Sequence, residues 1–130
     1  MRSIVLALLA TCTASAATPT RPLQATRRPD LASFYGEAYR GSPMACHGAP
    51  FDPDALTCAS WFYPFGTLLQ VTSGLRTVLV TVTDRGPARR LVERGVVIDL
   101  SAHAFALLSP DRQHPLRPGP LPVSIRAVSR

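Results

Sequence analysis

The chain has 130 residues, 46% of them hydrophobic, and its formal charge of +6 rests on 14 arginines with no lysine. That length allows one domain and excludes two. The arginines form no helical stripe with interleaved aromatics, so nucleic acid is not an expected partner.

Residues 1–17 read as a secretory signal. Arg2 supplies the positive start, and Ile4 to Ala10 is an apolar run too short to span a bilayer. Ala14-Ser15-Ala16 fits the small-residue cleavage site. Leu9-Ala10-Thr11-Cys12 also approximates a bacterial lipoprotein box, with a lipid anchor at Cys12 as the alternative. Thr11 is large for the position before a lipidated cysteine, so simple cleavage is expected. The product is then an exported protein of the periplasm or cell envelope, with no transmembrane span. Losing Arg2 lowers the formal charge from +6 to +5. A basic exported protein meets anionic wall polymers and membrane surfaces first. Residues 18–30, with Pro19, Pro22 and Pro29 among Thr and Arg, read as a flexible linker. The domain then covers residues 31–130, small but sufficient for one core.

Cleavage leaves Cys46 and Cys58, an even count in an oxidising compartment. One disulfide between them is expected, adding roughly 2–4 kcal/mol by restricting the unfolded chain. His47 lies beside Cys46, but zinc-ligand spacings are missing, so neither metal nor cofactor is expected.

The domain reads mostly as strand. Leu31 to Tyr35 is the first strand, ended by Gly36. Residues 41–55, rich in Gly, Pro and Asp, read as a long loop. Leu56 to Trp61 is a strand or a turn of helix, Pro64-Phe65-Gly66 a turn, and Thr67 to Thr72 a strand. Ser73-Gly74 signals a two-residue hairpin into the strand Arg76–Thr83. Val96 to Leu100 is a short apolar run, as in a buried strand. Ser101 can cap a helix filled by Ala102, Ala104, Phe105, Ala106, Leu107 and Leu108, with Pro110 beyond it. Pro120 to Val128 alternates as a last strand, placing Val123, Ile125 and Ala127 on one face. Many short strands with one brief helix fit an all-β, small closed barrel.

Thr83-Asp84-Arg85-Gly86-Pro87 stands out. An acid ends a β-branched run, Gly86 permits a sharp turn, and Pro87 stops further pairing. This puts a carboxylate on a rigid rim, suited to proton transfer at a sugar oxygen. An ordinary strand-ending turn has the same composition. Arg85, Arg89, Arg90 and Arg94 gather around it and favour an anionic ligand.

Three blocks together resemble the rare lipoprotein A family, exported septal lytic transglycosylases. Ala32-Ser33-Phe34-Tyr35-Gly36 is similar to the family's A-S-W/F-Y-G. Phe51-Asp52-Pro53-Asp54-Ala55-Leu56-Thr57 and Pro64-Phe65-Gly66-Thr67 resemble F-D-x-x-A-L-T and L-P-F-G-T. Thr83 to Pro87 with Val97-Ile98-Asp99-Leu100-Ser101 resembles N-D-R-G-P and V-I-D-L-S. The resemblance implies a six-stranded double-psi β-barrel with a groove along one side. It implies cleavage of peptidoglycan glycan strands to 1,6-anhydro ends, with the strands as partner and the protein a monomer.

Two family positions differ. Ala49 stands where active members carry Glu, and Ser60 where they carry His. Asp84 is the aligned carboxylate that remains, and it is the expected acid/base. One side chain suffices in principle, since the muramic acid 6-hydroxyl replaces water as the attacking group. Tyr35, Asp52, Trp61, Phe65, Arg85 and His47 are expected to bind substrate. Asp52 and Asp99 could each line the groove, but the ordinary expectation for both is structural, capping a loop or the helix after Leu100. The competing function is a non-catalytic wall-binding module like the expansins, which share this barrel. An exported inhibitor of the barwin type is a third reading.

Overall fold

The computed structural model describes residues 27–129; the expected signal segment and most of the linker lie outside them. Six strands are present: β1 (Asp30–Tyr35), β2 (Thr57–Ala59), β3 (Leu68–Ser73), β4 (Arg76–Asp84), β5 (Val96–Ser101) and β6 (Leu121–Ser129). They close into a barrel in the order β1-β5-β2-β4-β3-β6. The pairs β1–β5 and β2–β4 are parallel. The other four interfaces are antiparallel. Such a closed, mixed six-stranded barrel fits the double-psi architecture.

Alternation along the strands builds the core. Val78, Val80 and Val82 of β4, Leu69 and Val71 of β3, and Ile98 and Leu100 of β5 point inward and are nearly inaccessible. β-branched side chains suit a pleated surface packed on one face, which is why these runs extend rather than coil. Helix α2 (Ala102–Leu108) covers one end, burying Ala104, Phe105 and Leu108. Its cap is Ser101, whose Oγ accepts from Ala104 N–H at 3.3 Å. Phe105 packs on Phe34 with ring centroids 4.8 Å apart.

Several local features depart from the sequence expectation. The β3–β4 turn is Gly74-Leu75, one residue later than expected, because Ser73 still pairs with Arg76. Gly74 takes the left-handed conformation such a tight turn needs (φ +57°). A one-turn helix α1 (Arg89–Val92) occupies part of the charged loop, and Glu37–Tyr39 forms a 3-10 turn. On β6, Leu121 and Val123 are buried whereas Ala127 is exposed.

The expected Cys46–Cys58 bridge is corrected: both thiols are free. Cys58 faces the barrel core and is fully buried, and this desolvation pushes its thiol up to about 12. Cys46 lies half-exposed in the loop beside β4, its N–H on Thr83 O at 3.1 Å. One sulfur is sealed inside the barrel while the other sits in a surface loop.

Candidate active site

The site is built by four adjacent strands, β1-β5-β2-β4. On β5, Val96, Ile98 and Leu100 point inward, so Asp99 points out. Ser33 of β1 pairs in register with Asp99, and its hydroxyl donates to Asp99 Oδ1. On the other side, Asp99 pairs with Ala59 of β2.

Asp84 reaches the same face through an irregularity. Strict alternation would place it inward with Val78, Val80 and Val82. The β2–β4 register instead shifts: Cys58 pairs with Val82, and Ala59 pairs with Asp84. Thr83 is left without a partner on β2, as in a bulge, and the side chain after it is re-aimed. The loop stabilises this shift, because Cys46 N–H takes Thr83 O and Ala45 N–H donates to Asp84 Oδ1 at 2.9 Å. Arg85 N–H donates to the same oxygen at 2.8 Å. Oδ2 accepts no hydrogen bond from any described residue.

A row thus runs Ser33–Asp99–Ala59–Asp84 across neighbouring strands. Asp99 and Asp84 are two strand spacings apart, about 10 Å at the backbone. Between them opens a groove of about 280 Å³. Besides the two carboxylates it is lined by Tyr35, Tyr39 and Phe51 and by Arg85, Gly86 and Ala88, with Ser42 and Pro43. Tyr35 stacks on Phe51, centroids 4.0 Å apart, and meets Tyr39 edge-on at 6.2 Å.

The groove's titratable groups share one environment. Burial raises Asp99 above the ordinary carboxylate range, opposed by the Ser33 hydroxyl. Burial also raises Tyr35, helped by the nearby carboxylates of Asp84 and Asp99. Tyr35 Oη and Thr57 Oγ1 are buried without an acceptable hydrogen-bond partner among the described residues, although Thr57 is near enough to ease the Tyr35 shift slightly.

Gly86 is required by close approach. A Cβ there would stand 3.1 Å from Ala59 Cβ and 3.4 Å from Asp99 Oδ2. Arg85 directs its charge away from Asp84. Its guanidinium donates to the carbonyls of Ser60 at 2.7 Å and Tyr63 at 2.8 Å, and lies 3.8 Å over the Phe65 ring.

Of the expected site residues, Asp84, Tyr35 and Arg85 meet in the groove; the other four do not line it. Asp52 is exposed, pairs with Arg40 at 3.3 Å and accepts from Asp54 N–H at 2.9 Å. His47 is exposed in a tight turn with φ +56°. Trp61 bonds Pro87 O through Nε1 at 2.8 Å and stands with Phe62, Arg89 and Val92 around a second hollow of about 350 Å³. Phe65 supports Arg85 from below.

Asp99 lines the groove, the less favoured of its two sequence expectations. Ser101 does the capping. The signal lay in Val96-Val97-Ile98-Asp99-Leu100, whose alternation turns Asp99 away from the core.

The two changed positions hold structural contacts. Ser60 is buried, its N–H on Asp84 O at 3.1 Å and its Oγ accepting from Phe62 N–H at 3.1 Å. Ala49 is exposed and makes backbone bonds to Met44 and Cys46.

A family model described as "Lytic transglycolase" matches residues 31–124. A protein of Nostoc sp. named probable endolytic peptidoglycan transglycosylase RlpA is 39% identical over 104 residues, 77% of this chain and 25% of the relative. An endolytic peptidoglycan transglycosylase RlpA of Yersinia pestis is 46% identical over 76 residues, 57% of this chain and 20% of the relative. A Synechocystis sp. protein named probable endolytic peptidoglycan transglycosylase RlpA is 42% identical over 76 residues, 57% of this chain and 22% of the relative. The chain therefore spans about a quarter or less of these relatives' lengths. The family match runs from the start of β1 into β6 and takes in the whole carboxylate row, so this chain belongs to the lytic transglycolase family.

Proposed function

We propose that the protein is exported to the cell envelope and cleaves peptidoglycan glycan strands by lytic transglycosylation, with Asp84 as acid/base. The similarity to proteins named as peptidoglycan transglycosylases supports the substrate class. The observation that carries the reading is the bulge after Val82, which turns Asp84 into an aromatic-walled groove with Oδ2 free of donors among the described residues. Aromatic rings such as Tyr35 and Tyr39 offer apolar faces to a sugar, and tyrosine adds a polar tip.

In this reading the glycosidic bond between N-acetylmuramic acid and N-acetylglucosamine lies across the groove. The muramic 6-hydroxyl attacks its own anomeric carbon, the bond to the leaving oxygen breaks, and that oxygen takes up a proton. The hydroxyl proton passes to a carboxylate, giving an anhydro end without water. Trp61 and Phe62 provide an exposed apolar platform next to the groove for further sugars of the strand. The test is mass spectrometry of glycan strands incubated with the purified protein, looking for anhydro-ended fragments.

Ala49 and Ser60 favour a second reading, a wall-binding module without chemistry. Alanine cannot transfer a proton, and the Ser60 hydroxyl is buried in a backbone contact. Under that reading no fragments appear, and groove substitutions weaken retention on purified wall.

A further inference from the structure

We infer that Asp99 is a second catalytic carboxylate of the groove, donating the proton to the leaving glycosidic oxygen and leaving Asp84 to receive the 6-hydroxyl proton. This rests on the glycan-cleaving reading and divides its proton transfers between two side chains.

Geometry is the first argument. The two protons move at different atoms, one on the leaving group and one on the attacking hydroxyl. Two carboxylates face one groove from β5 and β4, with only Ala59 between their strands. Carboxyl pairs that flank a glycosidic bond stand roughly 5–9.5 Å apart. Side chains from backbones two strands apart, about 10 Å, can provide that spacing around a sugar ring. The methyl of Ala59 keeps the floor between them low.

The immediate partners of the two acids differ. Asp84 Oδ1 accepts from two backbone N–H groups, and no described residue donates to Oδ2, which is left as the atom to receive the hydroxyl proton. Asp99 Oδ1 meets the Ser33 hydroxyl, which can donate or accept and so serves either protonation state. Burial supplies a separate bias, favouring the protonated form of Asp99.

Access is the third argument. A Cβ at position 86 would stand 3.4 Å from Asp99 Oδ2, and glycine there leaves that oxygen without this neighbour. The ordinary explanation for an acid before a helix, capping, belongs to Ser101.

The step balances. The Asp99 carboxylic acid gives its proton to the leaving oxygen as the C1–O bond breaks. The 6-hydroxyl oxygen bonds to C1, and its proton moves to the Asp84 carboxylate. Exchange with water in the open groove restores both groups.

The test compares glycan strands with a dinitrophenyl glycoside of N-acetylmuramic acid, whose leaving group departs without a proton. Asp99→Asn should lose glycan cleavage by on the order of 10²–10⁴-fold, the usual worth of a general acid, and retain aryl glycoside cleavage within a few-fold. Asp84→Asn should lose both. Asp99→Glu, which keeps the acid, should recover part of the glycan activity and serves if Asp99→Asn does not fold. A folded Asp99→Asn that loses both substrates equally, or neither, overturns the assignment while the cleavage reading stands. Wild type cleaving neither substrate overturns the cleavage reading and the assignment with it.

Discussion

Asp84 and Asp99 flank Ala59 in hydrogen-bonded register, one on each neighbouring strand, and so face a single groove. Their placement has different origins. Asp99 arrives by plain alternation, while Asp84 needs the unpaired Thr83 to turn it out of the core.

Burying Asp99 should cost stability. Its folded pKa lies above the unfolded value of about 3.9. The cost is therefore absent below that value, grows as pH rises through the folded pKa, and is full above it. Asp99→Asn should raise Tm at neutral pH, and the gain should shrink in acid. Thermal melts across that range check this; a lower Tm for the variant at neutral pH contradicts it.

The two cysteines should react unequally. Cys58 is fully buried with its thiol pushed up to about 12, whereas Cys46 is half-exposed. Of these two, iodoacetamide should label only Cys46 in the native protein and both after denaturation. Mass spectrometry of the labelled peptides reads the result; no free thiol in the unreduced protein would instead indicate a bridge.

Gly86→Ala places a methyl 3.1 Å from Ala59 Cβ and 3.4 Å from Asp99 Oδ2. Overpacking of this kind typically costs about 1–3 kcal/mol, and here it also narrows the groove. Urea unfolding should show the loss of stability, with weaker wall binding alongside. A variant as stable and as well bound as wild type would mean that the segment yields freely.

Arg85→Lys tests the clamp behind Asp84. A lysine keeps the charge but loses the guanidinium plane that stacks on Phe65 and fixes the position of Nη1, the one nitrogen that donates to both the Ser60 and Tyr63 carbonyls. Removing one charged hydrogen bond and one cation–π contact should cost about 1–3 kcal/mol. Equilibrium unfolding measures it; an unchanged midpoint would show that Arg85 matters only through its charge.

Much of the barrel was legible because its signals are local. The β-branched run before Asp84, the Ser101 cap and the Val96–Leu100 apolar run each correspond to an observed element. The site was only partly legible, because it depends on register between strands distant in sequence. Nothing near Asp52 or His47 shows that the loop carries them away from the groove while delivering Phe51 to it. Trp61 and Phe65 were legible as candidate sugar-binding aromatics, but their partners, Pro87 O and Arg85, come from the turn after β4. The bulge at Thr83 depends on Cys46 and Ala45, some 39 residues from Asp84 in the Ala45 contact, and no pattern within the strand records it.

Product analysis with wild type and Asp84→Asn tests the central claim most directly. Purified glycan strands are incubated with each protein, and the products are read by mass spectrometry beside a wall pull-down. The account predicts anhydro-ended fragments from wild type, none from Asp84→Asn, and similar retention of both on the wall. Wild type that releases no fragments, or Asp84→Asn that releases them as wild type does, would contradict it.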